Sequence, residues 1–500
     1  MVSLNAIIAA LAAASLGLAG ADDRPPHVLM LDFMSAVQDE RYEDVLAQGA
    51  VLTEHPVFAQ LPGEGRAMIA AEMGAAHYFR REMDQAELYF IQARTLYPAI
   101  HSVSYYLITM YAYSYRSDEA SDLFLGIAPN DTSLNDLRPN ILMAIAGGLR
   151  RNGDMARLDA FLEGVLRRYQ PPEGPSGHDW ARQMVIERHA EMGRIDEAMQ
   201  EARNLVGASA LMNLRAERRF EELWTWSGFD RITDVRRGME RETQTLRDQL
   251  AGRNPALRAA AQLSANLLHL GDIDGAEETA RAWLARVEAG ERFGDAWEYH
   301  ALLHVRLADV KRARGDEAGA EARFWRAVET ALASDHPEMA GPYLLDIARQ
   351  QALTGRAREA LETLEQVQED FLTSRGRSIT TYIRTLAAHQ LGDSSGAEAL
   401  MADMRENSGL NHLRVLLFTG QMEAAEAALR EQVSTPSGAE DILAMLHAYR
   451  THERAVQPAL QLEARARLLE LAGRPGIAEA IAEAGRILSI DDLYELDLEP

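Results

Sequence analysis

From residue 28 to residue 490, apolar residues recur at spacings of three and four, and short polar turns interrupt them at regular intervals. That period places the apolar side chains on one face of a helix. The turns share a mark. A glycine stands five residues before a small or apolar residue of the next helix at Gly153, Gly193, Gly271, Gly315, Gly355, Gly392, Gly420 and Gly473. Glycine there can take the left-handed conformation that ends a helix. An aspartate follows it in Gly153-Asp154, Gly271-Asp272, Gly315-Asp316 and Gly392-Asp393, placed to cap the helix after the turn. The pattern predicts helical hairpins, each second helix anchored by Ala86, Ala120, Leu158, Ala198, Ala276, Ala320, Ala360, Ala397, Ala425 or Ala478. Residues 218–223 read as a worn copy without the glycine, and residues 34–51 as a further hairpin.

Within a hairpin the spacing is more specific. Gly74, Ala86, Phe90, Ala93 and Pro98 follow one another at intervals of 12, 4, 3 and 5. Ala308, Ala320, Phe324 and Ala327 repeat the first three intervals, as do Ala348, Ala360, Leu364 and Val367. Two helices cross closely only where side chains are small, and the larger residues on the same face fill the gap to the next hairpin. This set resembles the tetratricopeptide repeat (TPR), most strongly over residues 67–128 and 256–400. The resemblance implies an all-α fold, a right-handed α-α superhelix of about ten to twelve TPR-like hairpins. The expected organisation is a solenoid over 22–206, a degenerate junction over 207–255 containing Trp224 and Trp226, a second solenoid over 256–490, and a loose acidic tail at 491–500. Loops are expected at 170–177 and 434–438, where Pro, Gly and Ser collect.

Composition narrows the function. A net charge of -25, with Lys311 the single lysine, opposes nucleic acid and anionic lipid surfaces. The chain has no cysteine, which excludes disulfides, thiolate metal sites and a lipid-anchor cysteine. Residues 6–18 are apolar and Ala-rich, and Ala19-Gly20-Ala21 supplies small residues before Asp22-Asp23. This reads as a secretory signal peptide over 1–21, although no Lys or Arg precedes it; the alternative is an ordinary first helix. The expected location is periplasmic or secreted, without membrane insertion once the signal is removed.

Catalytic motifs are missing. Val310 precedes Lys311, so there is no Gly-Lys-Ser/Thr phosphate loop, and no Gly-x-Ser-x-Gly elbow occurs. His300 and His304 stand four apart, a spacing that can share a metal, but Ala301 occupies the place of a metalloprotease base and His304 falls at a core position. Asp272-Ile273-Asp274-Gly275 hints at a calcium loop yet coincides with a repeat turn and lacks later ligands. The arginine doublets at 150–151, 167–168, 218–219 and 236–237 are expected to pair with neighbouring acids. No catalytic residue, metal or cofactor is expected.

The TPR resemblance implies a scaffold or adaptor that binds a protein or peptide in a concave groove lined by the first helices. In the repeat near His101, Leu107, Ile108 and Tyr111 fall at core positions, so Tyr105 and Tyr113 face the groove, with Tyr78 and Arg150 from the flanking repeats. Arg306 and Arg349 hold similar inward positions farther on and suit acidic groups of a partner. The near absence of lysine departs from TPR domains that grip a peptide's terminal carboxylate with lysines. The rival reading is an exported carbohydrate- or peptidoglycan-acting enzyme, whose site inside a helical superhelix would need carboxylates converging in a deep pocket.

Overall fold

The computed structural model describes residues 24–127, 137–169 and 175–495. The proposed signal peptide therefore lies outside the described residues. The fold is an all-α solenoid of TPR-like helical hairpins, and the chain divides into two units, Met1–Pro172 and Glu173–Pro500. The division falls within the Pro-rich segment 170–177, where a loop was expected; residues 170–174 lie outside the described residues, and Pro175–His178 form a 3-10 helix. The stretch 207–255, expected as the junction, instead lies inside the second unit, where Leu211, Phe220 and Phe229 are buried in its core.

Among its described residues the N-terminal unit stacks four hairpins, the second formed by helices Gly63–Phe79 and Met83–Leu96 and the third by His101–Tyr113 and Ser117–Gly126. Ala86, Ala120 and Leu158 are fully buried, as the spacing requires. The crossing at Gly74 is tight: a Cβ there would stand 2.7 Å from the Phe90 ring. The first three turns reach the left-handed conformation without glycine. Glu40, Arg81 and Tyr115 take φ of 53°, 63° and 61°, five residues before the buried Val45, Ala86 and Ala120.

In the C-terminal unit the hairpins run from Asp179–Glu191 and Ile195–Ala202 to Ala459–Ala472 and Pro475–Ala484. Counting Gly153 of the N-terminal unit, seven of the eight turn glycines have positive φ. In both units together, Asp154, Asp272, Asp316 and Asp393 each accept the backbone N–H three residues on, at 2.9–3.1 Å. The last turn departs from the pattern. Gly473 has φ -79°, Pro475 opens the next helix, and Ile477 rather than Ala478 is buried. The turn is one residue shorter, so Ala478 is exposed and is not the anchor. Residues 218–223 form a 3-10 turn and the start of a four-residue helix instead of a hairpin arm, and the loop expected at 434–438 gives way at Pro436 to helix Pro436–Leu446.

The chain end is ordered where a loose tail was expected. Strand Ser489–Tyr494 pairs in parallel with strand Ala448–Arg450, with a register irregularity after Tyr449. Leu488, Ile490 and Leu493 point into the core built by residues 186–239. Arg486 lies over the Trp224 ring at 4.1 Å and donates to the Arg215 carbonyl at 2.5 Å. Trp224 Nε1 donates to the Leu214 carbonyl and Trp226 Nε1 to Asp196, both at 2.9 Å. Trp224 thus helps join the start of this unit to the chain's own C-terminal segment, while Trp226 ties the irregular stretch to helix Ile195–Ala202. Residues 496–500 lie outside the described residues.

Candidate binding site

Leu107, Ile108 and Tyr111 are buried in the N-terminal unit, which fixes the rotation of helix His101–Tyr113. Its opposite face presents Tyr105, Tyr106 and Tyr113, and helix Gly63–Phe79 brings Tyr78 and Phe79 beside them. Tyr106, which the repeat register did not single out, is the hub. Its ring stacks on Phe90 with centroids 5.0 Å apart, and it meets Tyr78 at 5.1 Å and Tyr105 at 5.4 Å. Phe79 extends the group to Tyr42 at 5.2 Å. Tyr78 is close enough to Tyr105 and Tyr113 for their charges to raise its pKa, after burial, the larger cause. Burial, the carboxylate of Glu72 and neighbouring tyrosines push Tyr106 up to about 12, so its hydroxyl is protonated at neutral pH.

Tyr113 is 58% exposed, and its hydroxyl accepts from Asn140 Nδ2 at 3.0 Å. Arg150 is exposed at the end of helix Pro139–Arg151, ten residues beyond Asn140 and so ~15 Å farther along the helix. The structure therefore brings Tyr78, Tyr105 and Tyr113 together, while Arg150 stands at a distance along its helix. Glu72 is the second residue that sequence reasoning passed over. It is half-buried against Tyr106, desolvation raises its pKa, and it forms no hydrogen bond or ion pair among the described residues. A half-buried, unpaired carboxylate beside aromatic rings that carry negative faces is a place for a cation.

The other expected contacts lie in the C-terminal unit. Arg306 is paired with Asp309 at 2.9 Å, and Arg349 with Asp346 at 3.4 Å, so each inward arginine is already neutralised within its own helix. His300 and His304 have ring centroids 6.0 Å apart, and burial lowers His304 to about 4. Among the described residues no group of three or more His, Asp or Glu side chains could hold a metal ion. In the calcium-like sequence, Asp272 caps its helix and Asp274 pairs with Arg314 at 2.6 Å. The arginine doublets pair largely as expected: Arg167 with Glu163, Arg218 with Glu221, Arg219 with Glu187 and Glu217, and Arg236 with Glu240. No described helix is long and apolar enough to cross a membrane.

No protein-family model and no curated protein matches the chain. Among solved structures, it is similar to the APC/C hetero-tetramer Cut9-Hcn1, with 11% identity over 92% of this chain and 96% of that one, at a TM-score of 0.30. Human IFIT1, solved as a dimer with m7Gppp-AAAA, gives 14% identity over 94% and 100% of the two chains, also at 0.30. A structure of Naa15/Naa10 bound to HypK-THB gives 15% over 81% and 68%, at 0.24.

Proposed function

We propose that the chain is a non-catalytic scaffold that docks a protein or peptide partner on the tyrosine face of its N-terminal unit. The observation that carries this reading is the convergence of Tyr78 and Tyr105 on Tyr106, with Tyr113 close to Tyr78 and Glu72 unpaired beside Tyr106. Tyrosines offer large contact area at low entropic cost, and their hydroxyls orient the partner. Glu72 favours a partner segment with a basic side chain, and the overall charge disfavours nucleic acid. Arg306 and Arg349 would contribute only if a partner acid displaced Asp309 and Asp346.

The test is a Tyr105→Ala, Tyr113→Ala double mutant against a partner recovered by pull-down from the native envelope fraction, identified by mass spectrometry and purified. The mutant should keep its helical circular dichroism and lose about 2 kcal/mol or more of binding free energy. Normal binding by a folded mutant would move the site elsewhere.

We also propose export, with cleavage after Ala21. The mature cellular protein should begin at Asp22 and fractionate outside the cytoplasm; an intact N-terminal segment on cytosolic protein would contradict this. One observation favours the enzymatic reading: two buried carboxyl groups, Asp179 and Glu242, do converge on a single cavity.

A further inference from the structure

That cavity, of about 540 Å³, lies within the C-terminal unit, between helices Asp179–Glu191, Val235–Leu250 and Leu257–His269. Its lining includes several polar and charged side chains. Asp179 is 4% exposed. Its Oδ2 accepts the backbone N–H groups of Gly207 at 2.6 Å and Val206 at 3.2 Å. Gly207 is glycine for this reason: a Cβ would stand 2.8 Å from that oxygen. Asp179 Oδ1 is buried and has no partner, and the same holds for Trp180 Nε1. Glu242, equally buried, accepts from Asn266 Nδ2 at 3.0 Å, and Gln262 fixes that amide by donating to its oxygen at 2.9 Å. His269 binds the Tyr494 carbonyl through Nδ1 at 2.7 Å, so Nδ1 carries the proton and Nε2 is left as an acceptor.

We propose that this cavity binds a small molecule bearing a guanidinium or ammonium group, held between the carboxyl groups of Asp179 and Glu242. The supply of acceptors decides the class. Asp179 Oδ1 and the second oxygen of Glu242 seek donors, and a guanidinium or ammonium group offers only donors. Two carboxyl groups buried near one another also repel, and a shared cation removes that cost. Trp180 Nε1 and the half-buried Arg258 add donors at the same cavity, so a carboxylate or hydroxyl elsewhere on the ligand would also be satisfied. The site is independent of the tyrosine face.

The geometry carries a proton linkage. Burial, and secondarily Glu242, push Asp179 up to about 7, against the backbone N–H groups of Val206 and Gly207 and the charge of Arg182, itself paired with Glu201. Below that pH Asp179 is protonated, and a bound cation must displace the proton. Affinity should therefore rise by up to about tenfold per pH unit towards 7 and level off above it. Burial also lowers the pKa of His269, which favours its neutral form.

Calorimetric titration of the full chain with agmatine, L-arginine and glucose tests the assignment. Agmatine and arginine should bind, arginine more tightly, with protons released at pH 6 and few at pH 8.5. Asp179→Asn should weaken agmatine by about tenfold or more and abolish the proton release. Asparagine keeps an acceptor for Val206 and Gly207, so this variant should fold. Glu242→Gln provides an independent second variant, checked by circular dichroism. Three results would overturn the proposal: no binding of either cation, equal affinity in both folded variants, or binding of glucose alone, which would turn the cavity towards a carbohydrate site.

Discussion

At the scale of single residues, the turns show what the chain requires and where it departs from its own rule. Seven glycines occupy the left-handed position, whereas Glu40, Arg81 and Tyr115 occupy it with side chains. A residue with a Cβ pays roughly 1–2 kcal/mol there. Arg81 and Tyr115 are exposed and reward that strain with little burial, although Arg116, next to Tyr115, is anchored on Glu87 at 2.7 Å. Arg81→Gly should therefore stabilise the N-terminal unit, by about 0.5–1 kcal/mol once glycine's greater unfolded-state entropy is deducted. Urea denaturation followed by far-ultraviolet circular dichroism measures it. A lowered midpoint would mean that the Arg81 side chain holds the hairpin together in some other way.

Whole elements were legible where their signals are local. Asp272 and Gly275, or Asp316 and Gly319, sit three residues apart and build a cap from that spacing alone. Ala320, Phe324 and Ala327 are buried because a helix puts residues four and seven apart on one face. The tyrosine face followed from the same register: once Leu107, Ile108 and Tyr111 point inward, Tyr105 and Tyr113 cannot. Tyr106 and Glu72 escaped because their roles depend on the neighbouring helix, not on their own. The carboxyl pair was farther out of reach. Asp179 and Glu242 belong to helices separated by the irregular stretch 207–232, where no repeat spacing predicts which side chains meet. The final strand left no such trace: exposure alternates from Ile487 to Ile490, but Ile487, Leu488, Ser489, Ile490, Asp491 and Asp492 do not alternate in polarity. Its partner is only three residues long and forty residues away, too short to read as a strand.

On the scale of the whole C-terminal unit, that strand changes the nature of the solenoid. An open stack of repeats lets each hairpin contact only its neighbours, and stability is then a nearest-neighbour sum. Here residues 486–493 return to the region 212–239: Arg236 Nη1 donates to the Asp492 carbonyl at 2.7 Å, Gly485 bridges Glu217, and Leu488, Ile490 and Leu493 complete the core beside Phe220 and Phe229. Glu495 anchors the end by pairing with Arg465 at 2.9 Å. The first and last parts of the unit should thus unfold together. Burying three such side chains is worth roughly 1.5–3 kcal/mol each, an upper estimate for the closure. Removing residues 486–500 should lower the urea midpoint of this unit sharply and broaden its transition, as the hairpins lose their common closure. The measurement can be specific to the unit, because all six tryptophans, Trp180, Trp224, Trp226, Trp283, Trp297 and Trp325, lie within it. Leu493→Ala tests the same contact without deleting backbone and should cost about 2–4 kcal/mol. If the truncated chain shows an unchanged tryptophan transition, the returning strand is an ornament on an open solenoid and not its closure.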